Sequence, residues 1–129
     1  VRERENIVLI VEDHQPMRAA LRKFLQAHYP SATILEAADG ASAMQLYNQL
    51  QPRLVLTDIG LPDISGIRLV EQIRKAHPDA RIIVVSQHTD SAYVRHAHAA
   101  GALHYVAKDR IAVDLLPAVA AIIDQEDAP

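Results

Sequence analysis

The chain has 129 residues, no cysteine, and thirteen Lys and Arg against sixteen Asp and Glu, for a formal charge of -3. The missing cysteines exclude disulfide frameworks, thiol nucleophiles and thiolate zinc sites. The basic residues are mostly single on helical faces, not gathered into the stripe that direct nucleic-acid contact needs.

The length fits one domain over 1–129, enough to bury about two thirds of the unfolded surface. Apolar runs are too short for a membrane span and no small-residue leader precedes them, so a soluble, cytoplasmic protein without membrane contact is expected. After a charged lead, VRERE, which has little to hold it, NIVLIV reads as a buried strand. PMRAALRKFLQAHY is then a helix with a stripe of Met17, Leu21, Phe24 and His28, and Pro16 is tolerated in its first turn. ATILEAA is the second strand. DGASAMQLYNQL, behind an Asp39 cap, sets Ala43, Leu46, Tyr47 and Leu50 on one helix face. Three more pairs follow: LVLT with SGIRLVEQIRKAH, RIIVVS with SAYVRHAHAA, and ALHYV with IAVDLLPAVAAII. Pro117 falls inside the last helix and is expected to kink or interrupt it. The core runs over about 6–123, and 124–129 (DQEDAP) form a solvated tail or the start of a linker.

Five repeats of a short apolar strand and an amphipathic helix call for a doubly wound α/β sheet with parallel strands and both faces covered. Right-handed crossovers bring every strand's carboxyl end to one edge, where ligands of such sheets sit. VEDHQP after the first strand lacks glycine and no Walker A sequence occurs, so nucleotide loops of those kinds are excluded. At the carboxyl edge stand Glu12 and Asp13, Asp58, Ser86 and Lys108. One acidic residue there commonly just begins a solvated loop, but five chemically matched positions point to a site. Clustered carboxylates repel unless a cation joins them, and an all-oxygen set with room for water suits Mg²⁺. Vacant positions on the ion would suit phosphoryl oxygens, with Lys108 and the Ser86 hydroxyl reaching others. Asp58, on the central strand, is the expected nucleophile, since Asp is among the residues that form covalent phosphate intermediates.

The segments VLIVEDH, LVLTDIGLPDISGIRL, IIVVSQH and GALHYVAKD, in this order, resemble the receiver domain of two-component response regulators over about residues 6 to 123. The wording VEDH, LPDISG and YVAKD is most like receivers that precede a LuxR-type helix-turn-helix module. The resemblance implies a flavodoxin-like fold, a five-stranded parallel sheet of order 2-1-3-4-5 with five helices. It implies Asp58 as phosphoacceptor, and Glu12, Asp13, Asp58 and the Gly60 carbonyl as metal ligands. Lys108 would be the invariant lysine, with Pro62 and Gly66 in the loop after the acceptor. Ser86 and Tyr105 would be the switch pair, although Tyr105 has an alternative as a core-edge aromatic. The implied donor is a phosphohistidine on a sensor histidine kinase or phosphotransfer protein. The output is the surface of helix 4, strand 5 and helix 5, where Arg95, Asp109, Arg110 and Asp114 could rim a homodimer contact. DNA would be reached only through an output module absent from this chain. Such a protein catalyses its own modification and is a signalling protein, not a turnover enzyme.

Other readings are a free-standing receiver acting by protein contact and, further off, an aspartyl-phosphate phosphatase. The phosphatase needs an acid two residues after the nucleophile, where Gly60 stands. His88, two residues after Ser86, is expected to overhang the site and tune access. His14 is expected outside the metal's direct ligands, and His96, His98 and His104 to have surface or packing roles in place of zinc binding.

Overall fold

The computed structural model describes residues 7–124, so the lead VRERE and the tail from 125 lie outside the described residues. Ile7–Val11 (β1) and Leu54–Thr57 (β3) are apolar almost throughout and occupy the middle of a parallel sheet. Thr33–Ala37 (β2), Ile82–Ser86 (β4) and His104–Ala107 (β5) complete it in the order β2-β1-β3-β4-β5, as the resemblance implies. Burial follows position: β3 and β4 are buried along their full length, whereas the edge strand β2 alternates with solvent. The register of Val11 with Thr57 brings the carboxyl ends of β1 and β3 level, while β4 and β5 run two residues further, to Ser86 and Ala107.

The helices are Gln15–His28 (α1), Gly40–Leu50 (α2), Gly66–Ala76 (α3), Ser91–Ala100 (α4) and Leu116–Ile123 (α5). Because successive strand side chains point to opposite faces, the sheet has two cores. Leu9, Val55 and Val84 pack with α2, α3 and α4 through Tyr47, Ile73 and Ala97. Ile10, Leu56 and Val85 pack with α1 and α5 through Leu25 and Val119. Asp39 caps α2 as expected, its carboxylate accepting the Ser42 N–H at 2.7 Å.

Two local expectations need correction, and a third, the interruption at Pro117, is met. The buried residues of α1 are Leu21 and Leu25, with Met17 and Phe24 packed partly against them, while His28 is exposed. Leucine loses no hydrogen bond on burial, whereas His28 tilts over the Phe24 ring and meets the Phe24 carbonyl at 2.9 Å. Leu50 is 41% exposed, so the inner face of α2 is Ala43 and Tyr47. The last helix is broken at its start into a 3₁₀ turn, Lys108–Arg110, and a π-helical turn, Ile111–Leu115. Pro117 is the second residue of α5. It has no N–H to give, and its ring crowds the carbonyl four residues back; the wider π turn relieves that crowding.

Candidate functional site

Where β1 ends, the Glu12 N–H still bonds the Ala37 carbonyl at 3.0 Å, which keeps Glu12 in the sheet's last rung. Its side chain is therefore buried, at 2% exposure, while Asp13 is exposed at the mouth. The His14 N–H donates to Glu12 Oε2 at 3.2 Å. Arg18, one turn into α1, donates to the Glu12 carbonyl at 2.7 Å and to Glu36 at 2.8 Å. Arg22 also bonds Glu36, and the two guanidinium hydrogen bonds hold its carboxyl below the ordinary range.

Asp58 follows β3, its N–H bonded to the Val11 carbonyl at 3.1 Å and its Oδ1 accepting the Ile59 N–H at 2.7 Å. The chain then folds back, with a bridge between Gly60 and Ser65 and a bond from the Gly66 N–H to the Ile59 carbonyl at 2.7 Å. A Cβ on Gly66 would stand 1.8 Å from the Asp58 carbonyl oxygen, so only glycine permits this return. Gly60 is exposed and open, with Asp58 Oδ2 as the sole atom within 4.0 Å of where its Cβ would be.

Lys108, just beyond β5, sends its ammonium between two of these carboxylates, 2.8 Å from Glu12 Oε1 and 3.1 Å from Asp58 Oδ2. Burial disfavours the charge, but the Glu12 hydrogen bond and the attraction of Asp58 outweigh it and raise the Lys108 pKa above the ordinary lysine value. One carboxylate oxygen each from Glu12, Asp13 and Asp58 lies within 4.8 Å of the others. Three formal negative charges against one ammonium leave two uncompensated, a deficit that fits a hard divalent cation with oxygen ligands. Among the described residues this cluster contains no histidine.

Ser86 ends β4 fully buried, its Oγ accepting the His88 N–H at 3.0 Å. The Tyr105 hydroxyl donates to the His88 carbonyl, so both backbone groups of His88 are held by the expected switch pair. Burial raises the Tyr105 pKa, Ser86 opposes the shift and the charge of Asp58 reinforces it. The His88 ring stacks on Tyr93 at 4.5 Å. His88, His14 and Gln87 join the acidic residues around a cleft of about 380 Å³. Gln87 escaped the sequence reading; its place between Ser86 and His88 on the edge loop was the available signal. The other histidines stay apart: His96 and His98 are exposed, His98 meets the Ala102 carbonyl at 2.9 Å, and His104 lies on β5. Of the rim charges, Arg110 pairs with Asp114 at 2.8 Å and Arg95 bonds Ser91, each with a partner four residues away in the chain.

Residues 8–120 match the family model of the response regulator receiver domain. The chain belongs to that family. The receiver is similar to the transcriptional activator protein ExaE of Pseudomonas putida, with 33% identity over 90% of this chain and 54% of that protein. It is 29% identical to the transcriptional regulatory protein DegU of Brevibacillus brevis, over 92% of this chain and 50% of that one. The chain thus spans about half the length of these curated relatives. Among solved structures, a two-component response regulator of the LuxR family from Aurantimonas sp. SI85-9A1 superposes with a TM-score of 0.85 at 34% identity, over 92% of this chain and 84% of that one. The receiver is accordingly most like those of transcriptional regulators. No helix among the described residues is long and apolar enough to cross a membrane.

Proposed function

We propose that this receiver accepts a phosphoryl group on Asp58 from a phosphohistidine of a sensor kinase or phosphotransfer protein. The observation that carries the reading is the Lys108 ammonium bridging Glu12 and Asp58 at the floor of an open acidic cleft. An Asp58 carboxylate oxygen attacks phosphorus, the P–N bond breaks, and the imidazole nitrogen leaves with the electron pair and takes up a proton. Glu12, Asp13, Asp58 and the Gly60 carbonyl would hold Mg²⁺, which when bound neutralises phosphoryl oxygens and orients them for in-line displacement. Lys108, whose ammonium lies 3.1 Å from Asp58 Oδ2, would supply positive charge to a further phosphoryl oxygen. Its second partner, Glu12, keeps the ammonium in place when Asp58 is modified.

Ser86 and Tyr105 are the proposed reporters of the modified state. If the Ser86 hydroxyl turns to the phosphoryl group, the His88 N–H loses its acceptor, and the His88–Tyr93 stack carries the change to α4. The surface of α4, β5 and α5 is then altered for a homodimer contact or for a transcription output module. The transcriptional relatives, of whose length this chain spans about half, support the second use, and a cytoplasmic location goes with it. His88 and the small residue Gly60 flank Asp58 and tune the access of donor and water.

Asp58→Asn tests the reading. Intact mass after treatment with a small phosphodonor and Mg²⁺ should show one acid-labile phosphate on the parent and none on the variant, with both proteins folded by circular dichroism. A parental adduct on the variant would overturn it.

A further inference from the structure

Asp63 has no part in the transfer just described, yet its carboxylate is fully engaged. Oδ1 accepts the N–H of Gly40 at 2.8 Å and of Ile64 at 3.0 Å, and Oδ2 accepts that of Ala41 at 2.9 Å. Gly40 and Ala41 open α2, whose own cap, Asp39, is already bonded to Ser42. The first turn of a helix leaves four N–H groups free, and its dipole favours negative charge there. Asp63 satisfies two of those groups from a different loop, the one that follows the phosphoacceptor. Its pKa is lowered by those bonds, Gly40 first and Ala41 next.

The contact is built on both sides. A Cβ on Gly40 would come 2.7 Å from Ile64 Cγ1 and 2.9 Å from Ile64 Cδ1, so glycine is what lets Ile64 and Asp63 seat against the helix end. On the other side the loop is closed by the Gly60–Ser65 bridge and by Gly66 against the Asp58 carbonyl. Between these anchors Pro62 and Asp63 face solvent. The Gly60–Leu61 peptide is held on its own side by the bridge and by the Leu61 N–H to the Ile59 carbonyl at 3.1 Å; the bonds from Asp63 to α2 are what tie the outer part of the loop to a second element.

We propose that Asp63 is a positioning residue, which docks the 60–65 loop on the N-terminus of α2 and thereby aims the Gly60 carbonyl at the metal position beside Asp58. The inference rests on the metal role given to Gly60 under the proposed function. It makes α2, which contributes no side chain to the cleft, a support for the acidic site.

The test compares two carboxylates at one helix end. Asp39→Ala removes a cap bond from α2 and leaves the loop untouched; Asp63→Ala removes the cap bonds that tether the loop. Magnesium chloride is titrated calorimetrically into each full chain, and thermal unfolding is followed without metal. Loss of an outer support typically weakens metal affinity by about 10–100-fold. We expect about tenfold for Asp63→Ala, a smaller loss for Asp63→Asn, which keeps one carbonyl acceptor, and parental affinity for Asp39→Ala despite its lowered melting temperature. Phosphorylation of Asp63→Ala by a small phosphodonor should return to the parental rate at saturating Mg²⁺, while Asp39→Ala, destabilised with the loop intact, should need no more Mg²⁺ than the parent. Parental Mg²⁺ affinity in both Asp63 variants would overturn the proposal, as would an equal loss in Asp39→Ala. A parent that binds no Mg²⁺ would instead overturn the metal reading, and the inference with it.

Discussion

Replacing Lys108 by Met removes one charge and keeps most of the volume of the side chain. Its ammonium lies 2.8 Å from Glu12 Oε1 and 3.1 Å from Asp58 Oδ2, and Glu12 is only 2% exposed. Deleting one member of a buried ion pair costs about 3–5 kcal/mol, because the remaining charge stays buried without compensation. Here the side chain of Lys108 is 19% exposed and the cleft is open to water. Screening at an effective dielectric near 20 brings the expected loss at neutral pH to about 2–3 kcal/mol. With a urea slope of about 1.5 kcal/mol per M, the unfolding midpoint should fall by about 1.3–2 M. The pH dependence has a definite sign. The folded pKa of Lys108 is raised, so its contribution is complete below the ordinary value of 10.5 and is lost as pH rises through the higher folded value. The gap between parent and variant should therefore persist across neutral pH and narrow only above 10.5. Urea unfolding of both proteins at neutral and alkaline pH, without divalent ions, measures it. A loss below about 0.5 kcal/mol at neutral pH would refute the claim that Glu12 depends on this cation.

Two further substitutions probe the supports of the site. Gly66→Ala would put a methyl group 1.8 Å from the Asp58 carbonyl oxygen; we expect about 3 kcal/mol of destabilisation, a melting temperature lower by about 10 °C, and a rate of phosphoryl acceptance reduced further than the folded fraction. Glu36→Gln should weaken the acid limb of stability, since the Glu36 pKa is lowered by Arg18 and Arg22. Its contribution is present above the ordinary value of 4.5 and lost as pH falls through the depressed one, so parent and variant should differ at pH 6 and converge in strongly acidic solution.

What the sequence by itself determined is the set of features governed by neighbours along the chain. LVLT is apolar over four residues and is followed by Asp, Ile and Gly, so both the central strand and the charge at its end are legible. The Asp39 cap is legible because its partner, Ser42, is three residues away. The disruptive effect of Pro117 was likewise local, though the π turn that absorbs it depends on the packing of Leu115 and Val119 beneath the sheet. The choice between Leu25 and His28 on α1 was not legible, since a helical stripe admits either until the sheet fixes which is covered. Nor was the reach of Arg18 to the Glu12 carbonyl and Glu36, or of Asp63 to α2. Those bonds join loops and elements distant in sequence, and their energies depend on approaches of about 3 Å that periodicity does not encode. Lys108 lies between these cases. Its place after the last strand was visible in the chain, but its partition between Glu12 and Asp58 follows only from the parallel register that brings the carboxyl ends of β1, β3 and β5 to one edge, which puts residues 50 positions apart within hydrogen-bonding distance.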